Sequence, residues 1–244
     1  MKDQLLDLVQ HTHGLGNIDM VRVIGTDQTT NIDGIAEDRS VILKGTFHGV
    51  MGEFVGTFGM PNLGKLKTIL NIDEYREDAN ITVPKQTTDE GVTLPTGIHF
   101  ENKTGDFKND YRFMAANVVN DKLKTVRMKS VAWHVELVPA AISIQRLRFQ
   151  ASANSEETTF IAKTENGNLK FYFGDHSSHA GNFVFQTGVS GKLTRSWSWP
   201  VSVVINVLGL PGDKTLKISD EGVLMIAIDS GIAKYEYLFP AQTK

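Results

Sequence analysis

The chain has 244 residues, of which 41% are hydrophobic, 22% charged and 9% aromatic, with no cysteine and a formal net charge of -3. Thirteen Phe and repeated Val- and Ile-rich runs exclude a disordered tail, and the lack of cysteine and of glycine periodicity excludes a disulfide-stapled or collagen-like chain. The longest apolar runs, at 203–205 and 223–228, fall far short of the roughly 20 residues that cross a bilayer, so no membrane span or membrane partner is expected.

The opening Met1-Lys2-Asp3-Gln4 carries acid where a secretory signal has a basic stretch, which makes a cytoplasmic location the expectation. Leu5, Leu8, Val9 and Thr12 recur at helical spacing and predict a first short helix. Alternating apolar and polar residues predict strands at 20–24 and 40–47. A second helix follows Pro61, with Leu63, Leu66, Ile69 and Leu70 on one face. Further strands are predicted at 80–85 and 97–102. Residues 115–130 (AANVVNDKLKTVRMKS) are polar and basic and read as an interdomain connector.

After Pro139 a third helix places Ala140, Ile144, Leu147 and Ala151 together. Strands at 158–164, 169–173 and 182–186 come next, the first two joined by the turn Glu165-Asn166-Gly167-Asn168. A fourth helix follows Pro200, with Ser202 and Asn206 as its polar pair. A strand at 215–219 then turns at Asp220-Glu221-Gly222.

The halves correspond. A shift of 139 residues lays Leu5, Leu8 and Thr12 on Ile144, Leu147 and Ala151, and a shift of 138 lays 70–72 on 208–210. The fold class expected is therefore α+β: two similar domains, 1–114 and 131–244, joined by the connector 115–130, each with antiparallel sheet and two helices. A single β-rich domain of the whole length is the alternative.

The run Phe58-Gly59-Met60-Pro61-Asn62-Leu63-Gly64-Lys65-Leu66-Lys67-Thr68-Ile69-Leu70-Asn71-Ile72, followed by Tyr75 and Ile81-Thr82-Val83, resembles the second helix of the first domain in sliding clamps of T-even-type tailed phages, distant relatives of proliferating cell nuclear antigen. The helix near each domain start, the connector, and the chain end with Gly222-Val223-Leu224-Met225-Ile226-Ala227 and Tyr237-Leu238-Phe239-Pro240 resemble the same pattern across essentially the whole chain. The resemblance implies a homotrimeric ring of six domains, with sheet outside, helices lining the hole and double-stranded DNA passing through without base readout. It implies a processivity factor that tethers a DNA polymerase and is opened by a clamp-loader ATPase, with no chemistry or cofactor of its own. A β-rich phage tail or capsid protein is the rival reading.

Such a lining attracts phosphates through charge. With Leu66 facing the sheet, Lys65 and Lys67 project on the exposed face at about 100° per residue. Arg146 points nearly opposite Ile144, with Arg148 on the flank. On the first helix Asp7 is expected outward and only Lys2 is basic, while the fourth helix offers no charge. The net charge of -3 is no obstacle, because an enclosed duplex leaves only when the ring opens.

By position in the family pattern, the edge 109–114 of one subunit, with Asn109, Tyr111 and Phe113, is expected to pair with 181–186 of the next, with Asn182, Phe183 and Phe185. The resemblance also implies a pocket for partner peptides, whose candidates are Val118, Leu123 and Val126 from the connector and Tyr237, Leu238, Phe239 and Pro240 from the chain end. The basic run Lys122, Lys124, Arg127 and Lys129 reads most simply as solvated connector, with a contact to DNA or to an acidic partner segment as the lesser alternative.

Two sequence features invite other chemistry. Gly59 to Lys65 matches a phosphate-binding loop, but Leu66 stands where Ser or Thr must hold magnesium, and Pro61 removes a backbone donor. The pairs His11/His13 and His176/His179 suggest metal, the second with Asp175 beside it, but 174–181 reads as a solvated loop. No catalytic or metal site is expected.

Overall fold

The computed structural model describes residues 1–88, 91–124, 130–174 and 179–242. The chain divides into two compact units. One comprises Met1–Arg39, Leu43–Val126 and Ser230–Tyr235; the other comprises Ser40–Ile42, Arg127–Asp229 and Glu236–Lys244.

The first unit opens with helix α1 (Lys2–Gln10) and four strands, β1 (Met20–Gly25), β2 (Thr30–Ile35), β3 (Ile42–Phe47) and β4 (Gly56–Pro61). Helix α2 (Leu63–Leu70) follows, then β5 (Asn80–Thr82), β6 (Lys85–Thr87), β7 (Thr93–Pro95), β8 (Gly97–Glu101), β9 (Lys108–Arg112), β10 (Met114–Ala115) and α3 (Ala116–Lys122). The second unit contains β11 (Val135–Leu137), α4 (Ala141–Ala153), β12 (Thr159–Glu165), β13 (Asn168–Phe173), β14 (Gly181–Gln186), β15 (Ser198–Pro200), α5 (Val201–Leu208), β16 (Asp213–Ser219) and β17 (Val223–Asp229). Strand β18 (Ala233–Pro240) gives its first three residues to the first unit and the rest to the second. The architecture is α+β with antiparallel pairing.

One topology occurs twice. The first unit orders its strands β4-β1-β2-β3 and the second β15-β12-β13-β14. Helix, four strands, helix and a three-stranded set recur in the same sequence, the sets being β5-β8-β9 and β16-β17-β18. By this correspondence β14 is the counterpart of β3, and β9 the counterpart of β18.

Local chemistry accounts for the elements. All four apolar residues of α2, Leu63, Leu66, Ile69 and Leu70, are buried. Pro61 does not open this helix, as expected from sequence, but ends β4. Asn62 caps it from a left-handed conformation (φ 52°), its Oδ1 accepting the Lys65 N–H at 3.1 Å. Strand thus runs into helix with one residue between, which leaves no loop to cradle a phosphate. Helix α5 starts directly after Pro200, with Ser202 and Asn206 outward. Between β12 and β13, Asn166 and Gly167 both have positive φ (50° and 73°), the conformation that a two-residue hairpin turn requires.

Two expectations need correction, and two helices show packing that the sequence does not announce. Asp7 points inward, only 8% exposed. The Tyr235 hydroxyl donates to its Oδ2 at 2.7 Å and the Ser230 hydroxyl at 3.0 Å, while buried His11 lies 3.2 Å from its Oδ1 and stacks on Tyr235. Burial alone would raise the Asp7 pKa, but the bonds to His11 and Tyr235 and the nearby imidazole hold it below the usual 3.8. Second, the strand at 80–85 is broken into β5 and β6 at Pro84, which has no N–H for a ladder. The connector begins as ordered structure. Val119 of α3 is fully buried, and a Cβ on Gly59 of β4 would stand 2.9 Å from its side chain, so only glycine admits this close packing. Helix α4 buries Ser143 and Leu147 but turns Ile142 and Phe149 outward, each 61% exposed.

Candidate functional site

Three features of the described surface bear on function: basic helix faces, unpaired strand edges and an apolar patch on one sheet face.

On α2, Lys65 and Lys67 are both exposed, on the face opposite the buried leucines. Neither has a carboxylate partner among the described residues. Lys2 is more constrained, because its ammonium donates to the Tyr75 carbonyl and, at 3.3 Å, to that of Arg76. Arg148 is exposed and its Nη2 lies against Gly209, where an added Cβ would stand 2.7 Å away, at the negative end of the α5 dipole. Arg146 is exposed but engaged. Its Nη1 donates to the Val184 carbonyl at 3.2 Å, and its guanidinium lies 5.5 Å from the Phe183 ring centroid.

The edges are strands β9 and β14. Each is the last strand of its sheet, in the orders β5-β8-β9 and β14-β13-β12-β15. The aromatic residues on them face inward. Tyr111, Phe183 and Phe185 are buried, and Phe113 stacks on Phe58 at 4.3 Å. Burial, and then the charge of Asp19, push the Tyr111 phenol far above its usual pKa, so its hydroxyl stays a donor, bonded to the Pro61 carbonyl. Asn109 donates to the Tyr75 hydroxyl at 2.8 Å, and Asn182 is exposed. What these strands present outward is backbone. Beside each stands an exposed phenylalanine: Phe107 (40%) precedes β9, and Phe149 neighbours β14.

The chain end differs from expectation. Tyr237 and Phe239 are fully buried and Leu238 is 6% exposed, because β18 is a sheet strand rather than a frayed terminus; only Pro240 is exposed. Leu238 nevertheless lies on the other face of the sheet. There it joins Met225 and Ala227, against which Ile42, Trp133 and Val223 pack while only partly buried. The signal for this patch is in the sequence, since Val223 to Ile228 is apolar at both parities, with Leu224, Ile226 and Ile228 filling the core. Of the connector candidates, Val118 is 42% exposed and Leu123 is buried beside an open groove of about 1220 Å³ in the first unit, whose lining includes Lys122, Lys124 and Arg39. Val126, Arg127 and Lys129 lie outside the described residues, as do Asp175 and His176.

No protein-family model matches the chain, and no curated protein sequence matches it. Solved structures do. PCNA of A. fulgidus, with the C-terminal region of FEN-1 bound, superposes with a TM-score of 0.69 at 10% identity, covering 100% of this chain and 97% of that one. PCNA of Thermococcus kodakaraensis gives 0.68 at 12% identity, covering 99% and 97%. The fold is the PCNA fold. It extends over both units, and sequence identity this low means that helices, strands and their order are shared while the side chains on them are this chain's own.

The remaining polar clusters are structural. The Asp220 carboxylate accepts from the Thr194 N–H at 2.8 Å, from the Thr194 hydroxyl and from the Arg195 N–H; burial opposes but these bonds hold its pKa below the usual value. His13 pairs with Asp19, whose Oδ1 also accepts the Gly64 N–H at 3.1 Å. Among the described residues no group of three His, Asp or Glu could hold a metal ion, and no helix is long and apolar enough to cross a membrane.

Proposed function

We propose that the chain is the subunit of a DNA sliding clamp of the kind that T-even-type phages use, working in the host cytoplasm. Three copies join head to tail, double-stranded DNA passes through the ring without base readout, and a DNA polymerase is tethered to it. An ATP-driven loader opens it.

The observation that carries this reading is the doubled topology with its unequal edges. Within the first unit β3 is flanked by Ala233–Tyr235 of β18. Among the described residues its counterpart β14 has no such neighbour, and β9, the counterpart of β18, is an edge as well. A second copy that repeats the β3–β18 pairing as β14–β9 satisfies both, and a heterologous contact of this kind closes into a ring when the rotation permits. Exposed edges with flanking Phe149 and Phe107 are a liability for a lone chain, which favours their use in assembly.

Lys65 and Lys67 then supply the sliding surface, with Arg148 and the α3-proximal Lys122 and Lys124 as weaker candidates. Few phosphate contacts suit a device that must move along DNA. The patch of Ile42, Trp133, Val223, Met225, Ala227 and Leu238 is the seat we assign to partner peptides, in place of the buried Tyr237 and Phe239. A partly exposed Trp over an apolar floor is the composition of a peptide hot spot. The FEN-1 C-terminal region bound to A. fulgidus PCNA sets a precedent for a chain-end peptide as the ligand.

Sedimentation at tens of micromolar tests the assembly. The expected species has about 81 kDa, three of the 27.0 kDa chains. A single 27.0 kDa species at every concentration, with or without DNA, would count decisively against the ring.

A further inference from the structure

We propose that Arg146 and Gln150 of α4 close the β14 edge in the lone chain, and that the β9 strand of a second copy displaces them when the ring forms. The proposal rests on the clamp reading for the identity of the incoming strand.

Two carbonyls of β14 are occupied by side chains from α4. Arg146 Nη1 donates to the Val184 oxygen at 3.2 Å, and Gln150 Nε2 donates to the Asn182 oxygen at 3.4 Å. Asn182 and Val184 are two residues apart, so their carbonyls leave the strand on the same side. Strand β13 lies on one side of β14, and because side chains from outside the sheet reach both oxygens we place them on the other side, where a further strand would bond. The α4 donors occupy the two acceptors that β-augmentation would use.

Both donors are held in place. The Arg146 guanidinium rests on the Phe183 ring at 5.5 Å. The Asn154 amide donates to the Gln150 carbonyl at 2.8 Å and to its Oε1 at 3.1 Å, which fixes the Gln150 amide with its NH₂ toward β14. Next to them is an open hollow of about 380 Å³ lined by Arg146, Phe149, Gln150, Ala153, Asn182 and Phe183. Apolar Phe149 on its rim, 61% exposed, is out of place on a surface that stays wet.

The occupant is a second copy because this chain carries the matching part. Strand β9 has five residues against six in β14, is unpaired on its outer side, and is preceded by exposed Phe107, an apolar side chain that a hollow rimmed by Phe149 can take. A charged side chain laid over an edge is a recognised way to keep strands from pairing indiscriminately. The exchange has a second effect. Arg146 gives up its carbonyl only when a neighbour's N–H replaces it, so its charge is released to the exposed face of α4, beside Arg148, in the closed ring and not in the free subunit.

Arg146→Ala separates the possibilities. The variant removes the donor that competes for Val184, so assembly in the absence of DNA should tighten, by about threefold to tenfold per seam, the ratio expected for one competing hydrogen bond. Sedimentation across a dilution series reads the shift. Gln150→Ala should act in the same direction and more weakly. Lys44→Ala, which removes an exposed cation of β3 that has no part in either edge strand, should leave the midpoint where it was; a shift equal to that of Arg146→Ala would mean relief of general charge repulsion and overturn the proposal. Unchanged or weaker assembly of Arg146→Ala, with the wild type trimeric, overturns the displacement and leaves the ring intact. If neither protein assembles at any concentration, both the proposal and the ring are wrong.

Discussion

Replacing Phe239 with Ala should lower the unfolding free energy by about 3–5 kcal/mol. The side chain is fully buried, as is Tyr237 on the same face of β18, so truncation loses the transfer energy of a ring and leaves a cavity that packed strands collapse into only partly. A domain's whole stability is about 5–15 kcal/mol, which makes this a change visible as a large drop in Tm or as failure to express. Trp133, one strand face away, is expected to behave differently. It is only partly buried, and Trp133→Ala should cost about 1 kcal/mol or less while abolishing capture of the cognate polymerase's C-terminal peptide. Urea unfolding of both variants checks the contrast. Equal, small losses of stability would mean that the two faces of β18 and β17 are not the core and the patch described above.

Reversing Lys65 and Lys67 to Glu should weaken equilibrium binding to an open-ended duplex at least about tenfold at low salt and flatten its salt dependence. Each lysine–phosphate contact contributes about 0.9 to the slope of log affinity against log salt. Three copies of α2 place six such lysines around one duplex, and with only two of them at phosphates at any moment the slope should fall by about 2. Both positions are exposed on a helix whose packing comes from Leu63, Leu66, Ile69 and Leu70, so stability should change by no more than about 0.5 kcal/mol. An unchanged slope in the folded double variant would show that these lysines only solvate their helix.

Much of this architecture is legible in the sequence, for reasons that differ by element. Helix α2 and helix α5 are bounded by local chemistry, Asn62 at one and Pro200 at the other, and their apolar residues follow a single face. The Asn166-Gly167 turn needs no tertiary context because its residues tolerate positive φ. Helix α3 is not legible: seven residues, two of them β-branched, become helical because Val119 finds the space above Gly59, a contact 60 residues away in the chain.

The same limit explains the sites. Lys65 and Lys67 follow from helical spacing alone. Asp7 reads as a surface acid until Tyr235 and Ser230, more than 220 residues later, supply its hydrogen bonds. The apolar chain end Tyr237 to Phe239 reads as a pocket wall through the clamp resemblance, although Ala233, Tyr235, Tyr237 and Phe239 alternate with Lys234 and Glu236 in the pattern of the strand that buries them. Arg146 is exposed as helical spacing requires, yet its partner is a carbonyl on β14, and no residue pattern announces a backbone acceptor.

Threading tests, without a loader, whether DNA passes through a closed ring of these chains. The protein is incubated with a linear duplex carrying biotin at both ends, streptavidin is then added, and bound protein is measured after gel filtration. Protein should remain on the duplex whose ends are blocked after loading, be lost from the same duplex left open, and be absent from a closed circle of equal length. Equal binding to the circle and to both linear forms would mean side-on adsorption and would contradict the ring.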